Sequence, residues 1–123
     1  MGLFNFGSKE AVKASAYKIS TGIWQIQQEL STNGEQITPT IRGLASAIKG
    51  EVRNLEKHLK PNGRTDWDLY NSTKVKVYNG ETIDFCTFEG RVNNMSKKLE
   101  EMTGITNMSQ LNEPNSISFR IWS

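Results

Sequence analysis

Apolar residues recur at helical spacing twice within the first 60 positions, and the spacing then changes to two. The first stripe comprises Val12, Ala16, Ile19, Ile23, Ile26 and Leu30, and the second comprises Ile41, Leu44, Ile48, Val52, Leu55 and Leu59. Steps of three and four place each set on one face of a helix, whereas the alternation from Lys74 to Phe85 is typical of a strand. The sequence therefore predicts two amphipathic helices followed by a small sheet.

Cap and turn residues give the predicted bounds of the helical hairpin, residues 9–60. Ser8 is a good N-cap, so the first helix is expected to begin after an N-terminal segment, residues 1–8. Thr38 can cap the second helix, with Pro39 at its first position. Pro61 should end that helix after Lys60. Gly43 and Gly50 could allow another backbone to approach it.

The dipeptide Asn79-Gly80 predicts a β-hairpin. A three-residue loop, residues 78–80, with Gly80 left-handed in a bulge places Val75 opposite Ile83 on one face. The same register sets Lys74 opposite Asp84, which is a favourable cross-strand pair. We therefore predict that register.

A third helix and a final strand complete the predicted ββαβ unit, residues 73–123. Thr87 is the expected N-cap of this third helix, and Gly104 is the expected end of it. Its predicted buried stripe comprises Phe88, Val92, Met95, Leu99 and Met102. Residues 117–121 alternate as a strand. The prediction is a single α+β domain, residues 1–123, in the order α-α-β-β-α-β, with a three-stranded antiparallel sheet in order 2-1-3.

Composition narrows the class of protein. A chain of 123 residues with a net charge of +2 fits one soluble domain, and the charge is too small to indicate nucleic acid by itself. The start lacks a secretory signal pattern, and a single cysteine cannot form an internal disulfide. These features predict a cytoplasmic protein. The chain's opening and its Asn-Gly hairpin resemble features of many small bacterial proteins, a likeness too general to carry a function.

The residues available for catalysis are few. The only histidine, His58, stands near the end of the second helix, where the helix dipole accounts for it. Cys86 lies at a strand-to-helix junction, where a thiol can become nucleophilic, although a small buried hydrophobe is the expected role. No metal-ligand or phosphate-loop pattern occurs, and no cofactor is predicted. An enzyme with a Cys86 nucleophile is the remote alternative.

One face of the second helix is basic. Its cations fall within roughly 80° of one another at 100° per residue and span about 27 Å at 1.5 Å per residue. These residues are Arg42, Lys49, Arg53, Lys57 and Lys60. Such a ridge suits phosphates or an acidic partner, although it also suits an ordinary solvated face. No interleaved aromatic residues accompany it, which counts against nucleic acid.

Tyr17 and Trp24 share a face of the first helix away from its apolar stripe. Either Leu3, Phe4 and Phe6 cover them, or they meet another chain, with a homodimer preferred. A small-molecule pocket between sheet and first helix stays open, because core-type residues would line it. The sequence thus favours a non-catalytic module that binds a protein partner or itself. Nucleic-acid binding by the basic face is the alternative.

Overall fold

The computed structural model describes residues 2–103, with side chains described for residues 9–99 and for Glu101 and Met102. It is a mixed fold of helices and one small sheet, which confirms the α+β class. The elements are α1 (Gly2–Thr32), α2 (Pro39–Leu59), α3 (Trp67–Ser72), β1 (Lys74–Lys76), β2 (Thr82–Asp84) and α4 (Phe85–Thr103). The predicted third strand, residues 117–121, and the predicted end at Gly104 lie outside the described residues.

Helices α1 and α2 pack as an antiparallel hairpin around the two predicted stripes. All members of both stripes are buried except Leu44, which is half-buried. The Ile48 side chain packs directly on the Gly22 backbone, where a Cβ atom would lie 2.6 Å from it. The prediction that Gly43 and Gly50 serve a close approach is wrong, since no described atom lies within 4 Å of a Cβ built at either position.

The start of α1 differs from the prediction, whereas the start of α2 is confirmed. Helix α1 begins at Gly2, because no proline precedes Ser8 and nothing in that segment breaks the helix. In α2, the Thr38 hydroxyl accepts from the Ile41 N–H at 3.2 Å, and Pro39 follows at the first position. The last turn closes with the Lys60 N–H donating to the Glu56 carbonyl at 2.8 Å.

The β1–β2 hairpin has the predicted register. Lys74 pairs with Asp84 and Val75 pairs with Ile83. The Val77 N–H donates to the Glu81 carbonyl at 2.9 Å, which leaves residues 78–80 as the loop. Gly80 has a φ of 89°, a conformation that favours glycine, so the left-handed bulge is also confirmed.

Helix α4 begins three residues earlier than predicted, at Phe85, because Asp84 rather than Thr87 caps it. The Asp84 Oδ1 atom accepts from the Thr87 N–H at 2.7 Å, and this hydrogen bond lowers the pKa of the Asp84 carboxyl. The predicted stripe of α4 is buried from Phe88 to Leu99, with Met102 half-buried.

Candidate functional site: an aromatic cleft between α1, the hairpin and α4

A cleft of about 480 Å³ lies between α1, the hairpin and α4, and is here called the aromatic cleft. Helix α1 forms one wall, the hairpin loop forms the mouth, and α4 forms the opposite wall. The lining residues are Ser20, Ile23, Trp24, Gln27, Val77, Tyr78, Asn79, Phe88, Arg91, Asn94, Met95 and Lys98. Three separate elements therefore contribute to one surface.

A stacked aromatic pair defines the mouth of the aromatic cleft. The rings of Trp24 and Tyr78 lie 4.2 Å apart between centroids with an interplanar angle of 17°. The Tyr78 N–H donates to the Ser20 hydroxyl at 2.8 Å, which fixes the start of the loop against α1. Trp24 is 37% exposed and Tyr78 is 40% exposed, so the pair stays accessible. Two large apolar rings are thus held rigidly at the edge of a cavity.

The floor of the aromatic cleft is apolar. It is formed by Ile23 of α1, Val77 of the hairpin, and Phe88 and Met95 of α4, all of which are buried residues of the core. Phe88 and Met95 belong to the buried stripe of α4 at a separation of seven residues, so they share one face. The aromatic cleft lies in the region between the sheet and the first helix where the sequence left a small-molecule pocket open.

The charged lining of the aromatic cleft is entirely cationic. Arg91 and Lys98 lie seven residues apart on one face of α4, and none of the lining residues is a carboxylate. Arg91 reaches Glu81 at 3.1 Å and Lys98 reaches Glu35 at 2.9 Å. All four side chains of these two ion pairs are well exposed, and such surface pairs are weak.

The structure separates the two predicted partner-binding residues. Trp24 lines the aromatic cleft and is covered on one ring face by Tyr78, a contact that sequence reasoning missed. Tyr17 is 42% exposed and lies on α1 outside the cleft lining. The alternative prediction is that Leu3, Phe4 and Phe6 cover these rings. Their side chains are outside the part of the chain for which side chains are described. No short-range signal points to Tyr78, because the contact bridges α1 and the hairpin.

The five predicted cations of the α2 basic face (Arg42, Lys49, Arg53, Lys57 and Lys60) lie, by helical spacing, on the side of α2 opposite its buried stripe. The opposite flank faces α1 through the Asn54–Ser15 hydrogen bond at 3.0 Å and the Glu51–Lys18 contact at 3.8 Å. Among the described residues, no ion pair involves any of the five. Burial raises the pKa of Glu56 on this side, with Lys60 and Arg53 opposing that shift.

Cys86 is exposed on the first turn of α4, so the expectation of a buried role is wrong. It lies beside Tyr70, whose hydroxyl donates to the Glu89 Oε1 atom at 3.0 Å. Burial is the main cause that raises the pKa of both Tyr70 and Glu89. Nothing described places His58 in this group, and a cysteine alone does not define a catalytic site.

Neither a metal site nor a membrane-spanning helix is present among the described residues. They contain no cluster of three or more His, Cys, Asp or Glu residues able to hold a metal ion. Within the same part of the chain, no helix is long and apolar enough to cross a membrane. No protein-family model, curated protein or solved structure matches the chain. Only the geometry and chemistry of the cleft indicate what kind of ligand it can bind.

Proposed function

We propose that the protein is a small, non-catalytic binding module and that the aromatic cleft is its binding site. The stacked pair Trp24 and Tyr78 is the observation that carries this proposal. Exposed aromatic rings beside an apolar cavity are typical of recognition sites, because they contribute large contact areas with few rotatable bonds. The Tyr78–Ser20 hydrogen bond holds the pair in place before any ligand arrives, which lowers the entropy lost on binding.

A protein partner, or a second copy in a homodimer, would extend this site along α1. Tyr17 lies two helical turns before Trp24 and adds an exposed ring next to the aromatic cleft. Tyrosine and tryptophan are enriched at protein interfaces. Trp24 is expected to contribute more than Tyr17, because it is both exposed and backed by a fixed neighbour.

The experiment compares affinity capture by the wild-type protein with capture by Trp24→Leu. Trp67→Leu is the matched control, because Trp67 is 47% exposed and does not line the aromatic cleft. Lysate from the source organism is passed over each protein after nuclease treatment and washed at low and high salt. Bound proteins and small molecules are identified by mass spectrometry, and self-association is measured by sedimentation.

A component, or a dimer, that is kept by wild type and Trp67→Leu and lost with Trp24→Leu supports the proposal. Equal retention by all three proteins, or no retention by any of them, overturns it. Both leucine variants must first show the wild-type unfolding midpoint within error, so that loss of capture is not loss of folding. Tyr78→Leu serves where Trp24→Leu unfolds.

A second candidate function is binding of a nucleic acid by the α2 basic face. The observation that favours it is the absence of any ion pair to those five cations among the described residues. Cations that hold no ion pair can displace condensed counterions from a phosphate backbone, which drives association. Glu56 is the carboxylate that offsets part of this charge, at Arg53 and Lys60. The face carries no aromatic residue for base stacking, so backbone recognition without sequence preference is expected.

The test is binding of a labelled DNA duplex across a series of salt concentrations. Nucleic-acid binding requires an affinity that falls steeply with salt, and a shallower slope for the Arg53→Glu/Lys57→Glu variant. The control is Lys76→Glu/Lys97→Glu, which makes the same charge change at exposed positions of β1 and α4 that lie away from α2. Equal losses for the two double variants, or no binding by wild type, would eliminate this function.

A further inference from the structure

We propose that the aromatic cleft takes a small planar aromatic anion, with its ring against Trp24 and Tyr78 and its carboxylate or phosphate group on Arg91. This inference rests on the proposed function only in using the same cleft. It adds the size, shape and charge of the ligand, each of which follows from a separate observation.

The size of the ligand follows from the volume of the cleft. The cleft measures about 480 Å³, within the range of about 300–1,000 Å³ found for small-molecule sites. Its walls come from α1, the hairpin and α4, so a ligand inside would contact all three elements. A compact molecule of one or two fused rings fits within such a space, whereas a folded partner could only cover its mouth.

The shape follows from the aromatic rings and the floor. Trp24 and Tyr78 are nearly parallel, with centroids 4.2 Å apart, and they present flat surfaces at the mouth. Phe88 and Met95 add an aromatic ring and a polarizable thioether to the apolar floor. A planar ring between these surfaces gains stacking contacts on one side and sulfur–aromatic contacts on the other.

The charge follows from the lining. Arg91 and Lys98 are its only charged residues, and Asn94 lies between them on the same face of α4. Their present partners, Glu81 and Glu35, stand outside the lining in exposed ion pairs. An anionic group on the ligand can replace the Glu81 carboxylate on the Arg91 guanidinium, whose parallel N–H groups suit an acid geometrically.

The experiment is a titration of the full chain with 2-naphthoate, 2-naphthyl phosphate and the neutral 2-naphthalenemethanol. Binding is followed by two-dimensional NMR, in which the indole N–H signal of Trp24 reports directly on the cleft. The two anions distinguish a carboxylate from a phosphate ligand. At least one anion is expected to bind saturably, and about tenfold or more tightly than the alcohol, because a charge-assisted hydrogen bond is lost in the alcohol.

Matched variants locate the contact. Arg91→Gln should weaken anion binding about tenfold and leave alcohol binding unchanged. Lys97→Gln removes the same charge from an exposed position of α4 that does not line the cleft, and it should change neither. Trp24→Leu should weaken all three compounds, because the ring contact is common to them. The spectra themselves show whether each variant is folded.

Three results overturn the inference: no saturable binding of either anion, equal affinity for anion and alcohol, or equal effects of Arg91→Gln and Lys97→Gln. Magnetization transfer from the Trp24 ring to residues 104–123, without added ligand, would place the chain's own C-terminal segment in the cleft and also overturn it. If these results occur while capture still depends on Trp24, the proposed function stands and only the ligand class fails. If neither titration nor capture depends on Trp24, both fail.

Discussion

The indole of Trp24 stacks on the ring of Tyr78 and joins the middle of α1 to the loop of the β-hairpin. The neighbouring hydrogen bond from the Tyr78 N–H to the Ser20 hydroxyl reinforces the same junction. A hairpin with three-residue strands has little stability by itself, so docking on α1 is needed to hold it. The contact that shapes the cleft is therefore also part of the fold.

Removing either ring should destabilise the protein, and the two effects should not add. Trp24→Ala and Tyr78→Ala each remove the stacking, so the double variant loses it only once. We expect a coupling free energy of about 0.5–1.5 kcal/mol for the pair. Urea unfolding of the wild type, both single variants and the double variant measures it. A double variant whose loss equals the sum of the single losses would show that the rings do not interact.

Gly22→Ala should destabilise the helical hairpin, although alanine is the better helix former. The added Cβ would lie 2.6 Å from Cγ1 and Cδ1 of Ile48, and this buried side chain can move only by disturbing its other core contacts. Overpacking of this kind costs about 1–3 kcal/mol. Thermal or urea unfolding measures the loss of stability.

The control for Gly22→Ala is Gly43→Ala in α2, where no described atom lies within 4 Å of the new Cβ. That change should stabilise the protein by up to about 1 kcal/mol through helix propensity. In addition, Ile48→Ala should relieve the effect of Gly22→Ala, because it removes both close atoms. A Gly22→Ala protein as stable as Gly43→Ala would contradict the close approach.

Local patterns were sufficient to predict much of the fold. The stripes of α1 and α2 determine which faces are buried, since only one face of each helix carries enough apolar area. The register of Val75 and Ile83 follows from the loop chemistry of Gly80, because a one-residue slip would turn the apolar side chains outward. The predicted basic face of α2 consists of residues on one helix, so helical geometry alone groups them.

Contacts between residues far apart in the chain could not be predicted from the sequence. Nothing in the spacing of Trp24 indicates that Tyr78 will stack on it, and Gly22 carries no sign that Ile48 lies opposite. The helix starts show a related limit. Ser8 and Thr87 both have good capping chemistry, yet neither begins its helix. Asp84 caps α4 by accepting from the Thr87 N–H, and the residues before Ser8 are already helical. Capping propensity ranks candidates without deciding between neighbours.

Tyr70 should make the protein lose stability at alkaline pH. Burial, then the charge and hydrogen bond of Glu89, raise the pKa of the Tyr70 hydroxyl above its ordinary value of 10.0. Above that pH the unfolded chain releases the proton while the folded chain retains it. The unfolded state then binds fewer protons, so the free energy of unfolding falls as pH rises. Urea unfolding at about pH 9 and about pH 11 measures the change.

Tyr70→Phe isolates this contribution from the lysines that titrate in the same range. The difference in stability between wild type and Tyr70→Phe should be largest at the lower pH and shrink toward the higher one. Glu89→Gln keeps an acceptor for the Tyr70 hydroxyl but removes the negative charge, so it should weaken the pH dependence. A difference that stays constant across this range would mean that Tyr70 titrates alike in the folded and unfolded chains.

Ser96→Ala should stabilise the protein or leave its stability unchanged. Ser96 is fully buried in α4, and its hydroxyl has no hydrogen-bond partner among the described residues. A buried hydroxyl without a partner loses its hydrogen bonds to water on folding and forms none in their place. This costs about 1–3 kcal/mol, which alanine avoids. Alanine is also the better helix former.

Ser20→Ala is the informative comparison, because it removes a hydroxyl that does accept a hydrogen bond, from Tyr78, and it should destabilise the protein. Urea unfolding of both variants checks the pair, and a loss of stability in Ser96→Ala as large as in Ser20→Ala would mean that the Ser96 hydroxyl is hydrogen-bonded.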